Sequence, residues 1–131
     1  MSILSRLFGP AVLGLLTCSS PASAQQEVLV YFAGVDPQDL TSSTGVRFSD
    51  PCAILRQDRA NVHRFGKPGP YDGAGDPMFG NPDARGAFQG DCAPFDGYDT
   101  TRMLNADAYV RVVVYRLPGG GLRIRFGEGA G

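Results

Sequence analysis

Three kinds of hydrophobic pattern alternate along this chain. Glu27 to Val35 (EVLVYFAGV) is almost continuously apolar and rich in β-formers. Such a run predicts a strand buried on both faces, in the middle of a sheet. Asp36 to Gly45 is a loop by composition, and Val46-Arg47-Phe48 alternates as a short second strand would. At the far end, Ala108 to Leu117 and Leu122 to Phe126 flank Pro118-Gly119-Gly120-Gly121, which predicts a hairpin. In its second arm Leu122, Ile124 and Phe126 face one way and Arg123 and Arg125 the other. That alternation predicts a half-exposed strand at a sheet edge, while Val112-Val113-Val114 suits a central position.

Between these β blocks the period changes to that of a helix. Asp50 is placed to cap it, and Pro51 suits the first helical position, where a missing N–H costs nothing. The helix should run to Phe65 and stop at Gly66, with Pro68 beyond. At about 100° per residue Leu55 and Val62 share the core face, flanked by Cys52, Ile54 and Phe65. Asp58 falls inside this apolar arc, whereas His63, Arg56 and Arg64 fall outside it as a basic, water-facing side.

From Lys67 to Asn105 the chain is dense in Gly, Pro, Asp and Asn, without a long periodic run. The segment also carries Tyr71, Met78, Phe79, Phe88, Phe95, Tyr98 and Met103, more apolar anchors than a linker needs. It reads as an irregular but anchored cover, with a helical turn between Asp99 and Asn105. The fold class expected is therefore α+β: a small antiparallel or mixed sheet of about four strands, one main helix across it, and a long covering loop.

The first 24 residues form a separate unit. Arg6 precedes an apolar run from Leu7 to Leu16, and Ala22-Ser23-Ala24 has the A-x-A pattern of a signal-peptidase site. The run is too short to span a bilayer, which takes about 20 apolar residues. Residues 1–24 are read as a signal peptide and 25–131 as a single exported domain, periplasmic or secreted. Leu15-Leu16-Thr17-Cys18 resembles the lipobox of bacterial lipoproteins, but Thr17 stands where that pattern usually has Gly, Ala or Ser. Cleavage after Ala24 fits its own pattern better than lipidation of Cys18.

Export changes how the cysteines read. With Cys18 in the leader, Cys52 and Cys92 remain as a pair in an oxidising compartment, where a disulfide is expected. Two thiols and His63, the only histidine, do not complete a tetrahedral metal shell. Charge adds little: cleavage removes Arg6 and leaves eleven basic against thirteen acidic side chains, no footprint for nucleic acid.

Candidate chemistry is sparse. His63 must serve any histidine-dependent catalysis, yet a helix C-terminus also simply favours a cation. Asp58 on a core face must be neutralised, with Arg59, Arg123 and Arg125 as candidate partners; it is a structural ion pair or a functional acid at a cleft. The aspartates Asp72, Asp76, Asp83, Asp91, Asp96 and Asp99 lie among glycines, as calcium ligands often do, but lack the EF-hand spacing. Asp72, Asp76, Asp96 and Asp99 are the ligands a calcium-stabilised domain would use. The Thr41 to Gly45 loop could hold an anion on hydroxyls and N–H groups, without a phosphate-loop motif. Arg111, Tyr115, Arg123 and Arg125 in the hairpin are residue types favoured at recognition surfaces. The function expected is a non-enzymatic binding or accessory domain for a protein or envelope component, needing no cofactor. The alternatives are a small hydrolase using Asp58 or His63, and a calcium-stabilised structural domain.

Overall fold

The computed structural model describes residues 9–16, 24–69, 72 and 76–130. Cys18 and the Ala22-Ser23 part of the cleavage pattern lie outside them, as does Tyr71. Gly9 to Leu16 has no regular secondary structure and contributes nothing to the core; Leu16 is 95% exposed.

The domain is α+β, as the hydrophobic pattern predicts. Four strands, β1 (Gln26–Val35), β2 (Asp91–Pro94), β3 (Ala108–Arg116) and β4 (Leu122–Glu128), form one mixed sheet in the order β1-β3-β4-β2. β1 and β4 both run antiparallel to β3, and β2 runs parallel to β4. The main helix, α1 (Pro51–His63), lies across one face. Its cap is the expected one: Asp50 accepts from the Cys52 N–H at 2.9 Å. Beyond the helix Gly66 takes the left-handed conformation, φ +61°, that glycine adopts without penalty.

The core lies between α1 and the inner sheet face. Tyr31, Ala33, Val110, Val112, Val114, Ile124 and Phe126 meet Ile54 and Leu55, and Phe79, Phe88 and Met103 of the cover close the sides. Leu55 is fully buried as expected. Val62 shares its arc but is only half-buried in the last turn of the helix. The remaining buried helix positions include Asp58, Arg59 and Asn61, so polar side chains make up much of this face.

Two edge assignments reverse. β1 is an edge strand, not a central one. Its outer face keeps an exposed aromatic, Phe32, which stacks on Tyr109 with centroids 5.6 Å apart. β4 is interior, not an edge, because β2 lies along it and supplies Asp91 to the outward arginines. Val46 to Phe48 makes no strand, only an isolated bridge between Thr41 and Arg47. The cover holds two short helices, α2 (Pro82–Arg85) and α3 (Thr101–Leu104), the latter inside the turn expected from Asp99 to Asn105. The disulfide Cys52–Cys92, Cα atoms 6.2 Å apart, ties β2 to the first turn of α1. Among the described residues no helix is long and apolar enough to cross a membrane.

Candidate functional site

The polar face of α1 builds a charge network inside the protein. Asp58 and Arg59 are neighbours on the helix, and both are buried. Arg59 Nε donates to Asp58 Oδ2 at 2.7 Å and Nη1 to Asp76 Oδ2 at 3.0 Å, while Nη2 lies 3.6 Å from Asp72 Oδ1. Nη2 also sits 2.7 Å from Asp58 Oδ2 without hydrogen-bond alignment, so Nε carries the directional bond. The guanidinium lies 4.4 Å from the centroid of the Tyr31 ring, a cation–π contact that closes its fourth side.

The two aspartates from the cover fasten it to the rest of the fold. Asp76 Oδ1 accepts from the Met78 and Phe79 N–H groups, and Oδ2 is shared by Arg59 and His63. Asp72 accepts from Gly69 N–H at 2.6 Å and from Gly34 N–H of β1 at 3.3 Å. Nearby, Asp39 accepts from Asn61 Nδ2 at 2.7 Å and from the Asp36 N–H. One buried arginine thus serves three carboxylates, and that of Asp39 lies nearby.

The excess of acid sets the protonation states. Burial drives the Asp58 carboxyl well above its ordinary range, and Arg59 only partly opposes this. Its Oδ1 has no hydrogen-bond partner among the described residues, so nothing on that side offsets the cost of burying a charge. Burial also lifts Asp39 to about 6, against the hydrogen bonds from Asp36 N–H and Asn61. Asp76 goes the other way: burial pushes it up, but hydrogen bonds from His63, Phe79 N–H and Arg59 outweigh it and hold the carboxyl below 3.8.

His63 departs from the far-side position expected from the helical period. It stands one turn after Arg59, at the flank of the buried arc, and so reaches the same carboxylate. Nε2 lies 2.8 Å from Asp76 Oδ2, and the side chain is 17% exposed. The lowered Asp76 carboxyl accepts, so Nε2 carries the hydrogen of this bond. Nδ1 faces Gly80, where a Cβ would stand 3.7 Å away. Among the described residues no hydroxyl or thiol hydrogen-bonds to the ring. The pair is an oriented imidazole with no nucleophile bonded to it among the described residues.

The four aspartates considered for calcium are not brought together. Asp72 and Asp76 belong to the Arg59 network; Asp96 is exposed on a turn, and Asp99 accepts from the Thr101 N–H at the start of α3. Among the described residues no three His, Cys, Asp or Glu side chains converge as a metal shell.

The hairpin residues do come together. The register pairs Tyr115 with Arg123, Val113 with Arg125 and Arg111 with Phe32, so these side chains share the outer sheet face. Asp91 of β2 sits between two of them: Arg123 Nε reaches Oδ2 and Arg125 Nη1 reaches Oδ1, each at 2.9 Å. These hydrogen bonds, Arg123 first, hold the Asp91 carboxyl below its ordinary range. Arg123 also donates to Gln25 Oε1 at 2.9 Å. At this end of the face a cavity of about 470 Å³ opens between Tyr115, Arg123, Arg125 and Phe95. Asp91 is the member sequence reasoning missed as a partner; its one signal was its place immediately before Cys92. Comparison of the chain with protein-family models, curated proteins and solved structures finds no match, so function must be read from this geometry.

Proposed function

We propose that the chain is an exported, disulfide-stapled binding domain that presents the outer face of its sheet to a protein or envelope component. The observation that carries this is the register that gathers Arg111, Tyr115, Arg123 and Arg125 on one side, beside the Phe32–Tyr109 stack. Arginine and tyrosine anchor interfaces because each offers large contact area with directional donors. Asp91 orients two of the guanidiniums before any partner arrives, which reduces the ordering cost of binding. Export is supported by the apolar leader, whose described part, Gly9 to Leu16, adds nothing to the core, and by a disulfide that suits an oxidising compartment.

The groups that catalysis would need are engaged elsewhere. Asp58 is sealed in the interior, and His63 is bound to Asp76. The hydrolase alternative draws on that His63–Asp76 pair, whose geometry orients an imidazole as catalytic dyads do. The binding proposal is tested by capture from the envelope of the producing organism, using the disulfide-bonded protein and an Arg111→Ala/Tyr115→Ala variant. A specific partner should be retained by the first and lost by the second, with unchanged circular dichroism. Equal capture by both would remove the outer face from consideration.

A further inference from the structure

A second site lies on the other side of the molecule, along the water-facing side of α1. There the helix, the loop that precedes it and the α2 segment enclose a groove of about 430 Å³. Arg56 and Arg64 reach it from the helix, Arg85 from α2, and Ser42 and Ser43 from the loop. Polar surface predominates, and Phe48, Phe65 and Phe88 are among the apolar residues that line it. We infer that this groove binds a small polyanion, a molecule bearing at least two carboxylate or phosphate groups.

Charge complementarity carries the inference. None of the thirteen acidic side chains lies within ion-pair distance of Arg56, Arg64 or Arg85. Arg59, Arg102, Arg123 and Arg125, by contrast, all have carboxylate partners. Of the six described arginines without one, Arg47, Arg111 and Arg116 lie elsewhere, and Arg56, Arg64 and Arg85 share this single concave place, where their fields add.

Arg85 gives the groove a fixed donor. Its side chain is only 7% exposed, and Nη1 is anchored by the carbonyls of Phe79 at 2.7 Å and Gly80 at 3.4 Å. Its other N–H groups have no protein partner among the described residues. A guanidinium held this way keeps its planar fork aimed without further loss of side-chain entropy, and that fork matches carboxylate and phosphate oxygens. Arg64 is likewise steadied, lying 5.1 Å from the centroid of the Phe65 ring. Asp50 is the one acid lining the groove; it stands at the opposite end of α1 from Arg64 and is engaged by the Cys52 N–H. It leaves the Arg64 end to the anion. The volume falls in the lower part of the usual range for small-molecule sites, roughly 300–1,000 Å³.

The site is independent of the sheet face and can be tested without knowing the natural ligand. Calorimetric titration of the disulfide-bonded protein with citrate and, separately, with inorganic pyrophosphate should give saturable binding of at least one, weakened by added salt. Citrate alone marks a carboxylate ligand and pyrophosphate alone a phosphate ligand; binding of both marks a site that reads charge. Arg56 is half-exposed and Arg64 exposed, so an Arg56→Ala/Arg64→Ala variant should fold normally. Its affinity should fall by about tenfold or more, while Arg111→Ala/Tyr115→Ala leaves it unchanged. No saturable binding of either probe, or equal affinity in the Arg56→Ala/Arg64→Ala variant, would overturn the inference.

Discussion

Asp58 and Arg59 show how one pair of residues sets the electrostatics of an interior. A carboxyl whose pKa is higher folded than unfolded binds more protons in the native state. Stability then falls as pH rises from the unfolded value through the folded one. For Asp39 that window runs from 3.8 to about 6, and the shift corresponds to something on the order of 3 kcal/mol. Asp58, also raised by its burial, adds loss in the same direction. Asp76 is lowered, so its contribution is present at neutral pH and disappears only in acid, below the ordinary carboxylate range. Thermal unfolding should therefore give a higher Tm near pH 5 than near pH 8, and Asp58→Asn should flatten the difference. A Tm that rises steadily from pH 5 to 8 would contradict these protonation states. Asp58 was legible in the sequence as a polar intruder on an apolar arc, with Arg59 among its candidate partners. Asp72 and Asp76 were not, because an aspartate that accepts turn N–H groups and one that also pairs with a buried arginine look alike in sequence.

Elements declared themselves in proportion to their length and to the chemistry at their ends. The α1 helix was legible from Asp50, Pro51 and Gly66, and the hairpin from its glycines and alternation. β2 has four residues, includes Pro94 and exposes no periodic pattern; backbone pairing and the Asp91 ion pairs hold it beside β4, and the disulfide ties it to α1. Missing it made β4 look like an edge. Loss of that staple should be costly: Cys52→Ser/Cys92→Ser should destabilise the fold by about 4 kcal/mol on the loop-entropy argument, measured by urea unfolding. A change within measurement error would mean that the pairing with β4 and the Asp91 ion pairs suffice without the staple. The core face of α1 has its own check. Leu55 is fully buried, so Leu55→Ala should cost about 2–5 kcal/mol in the same assay.

At the scale of the whole molecule, α1 divides its polar residues between an internal network and an arginine-lined groove, and the sheet turns a second arginine-bearing face outward. The sequence showed the basic helix side and the serine loop separately; that Arg85 joins them depends on the path of the cover, which composition does not encode. Intact mass of the exported protein should begin at Gln25, and a diacylglycerol adduct on Cys18 would contradict the leader assignment. The central claim is that the protein acts by binding, with His63 serving the Asp76 network and not a reaction. The most direct measurement is a His63→Ala variant, folded by circular dichroism, carried through both envelope capture and turnover assays on envelope substrates. The account predicts that the variant keeps the wild-type partner and that neither protein turns over substrate. Wild-type turnover abolished by His63→Ala would contradict it.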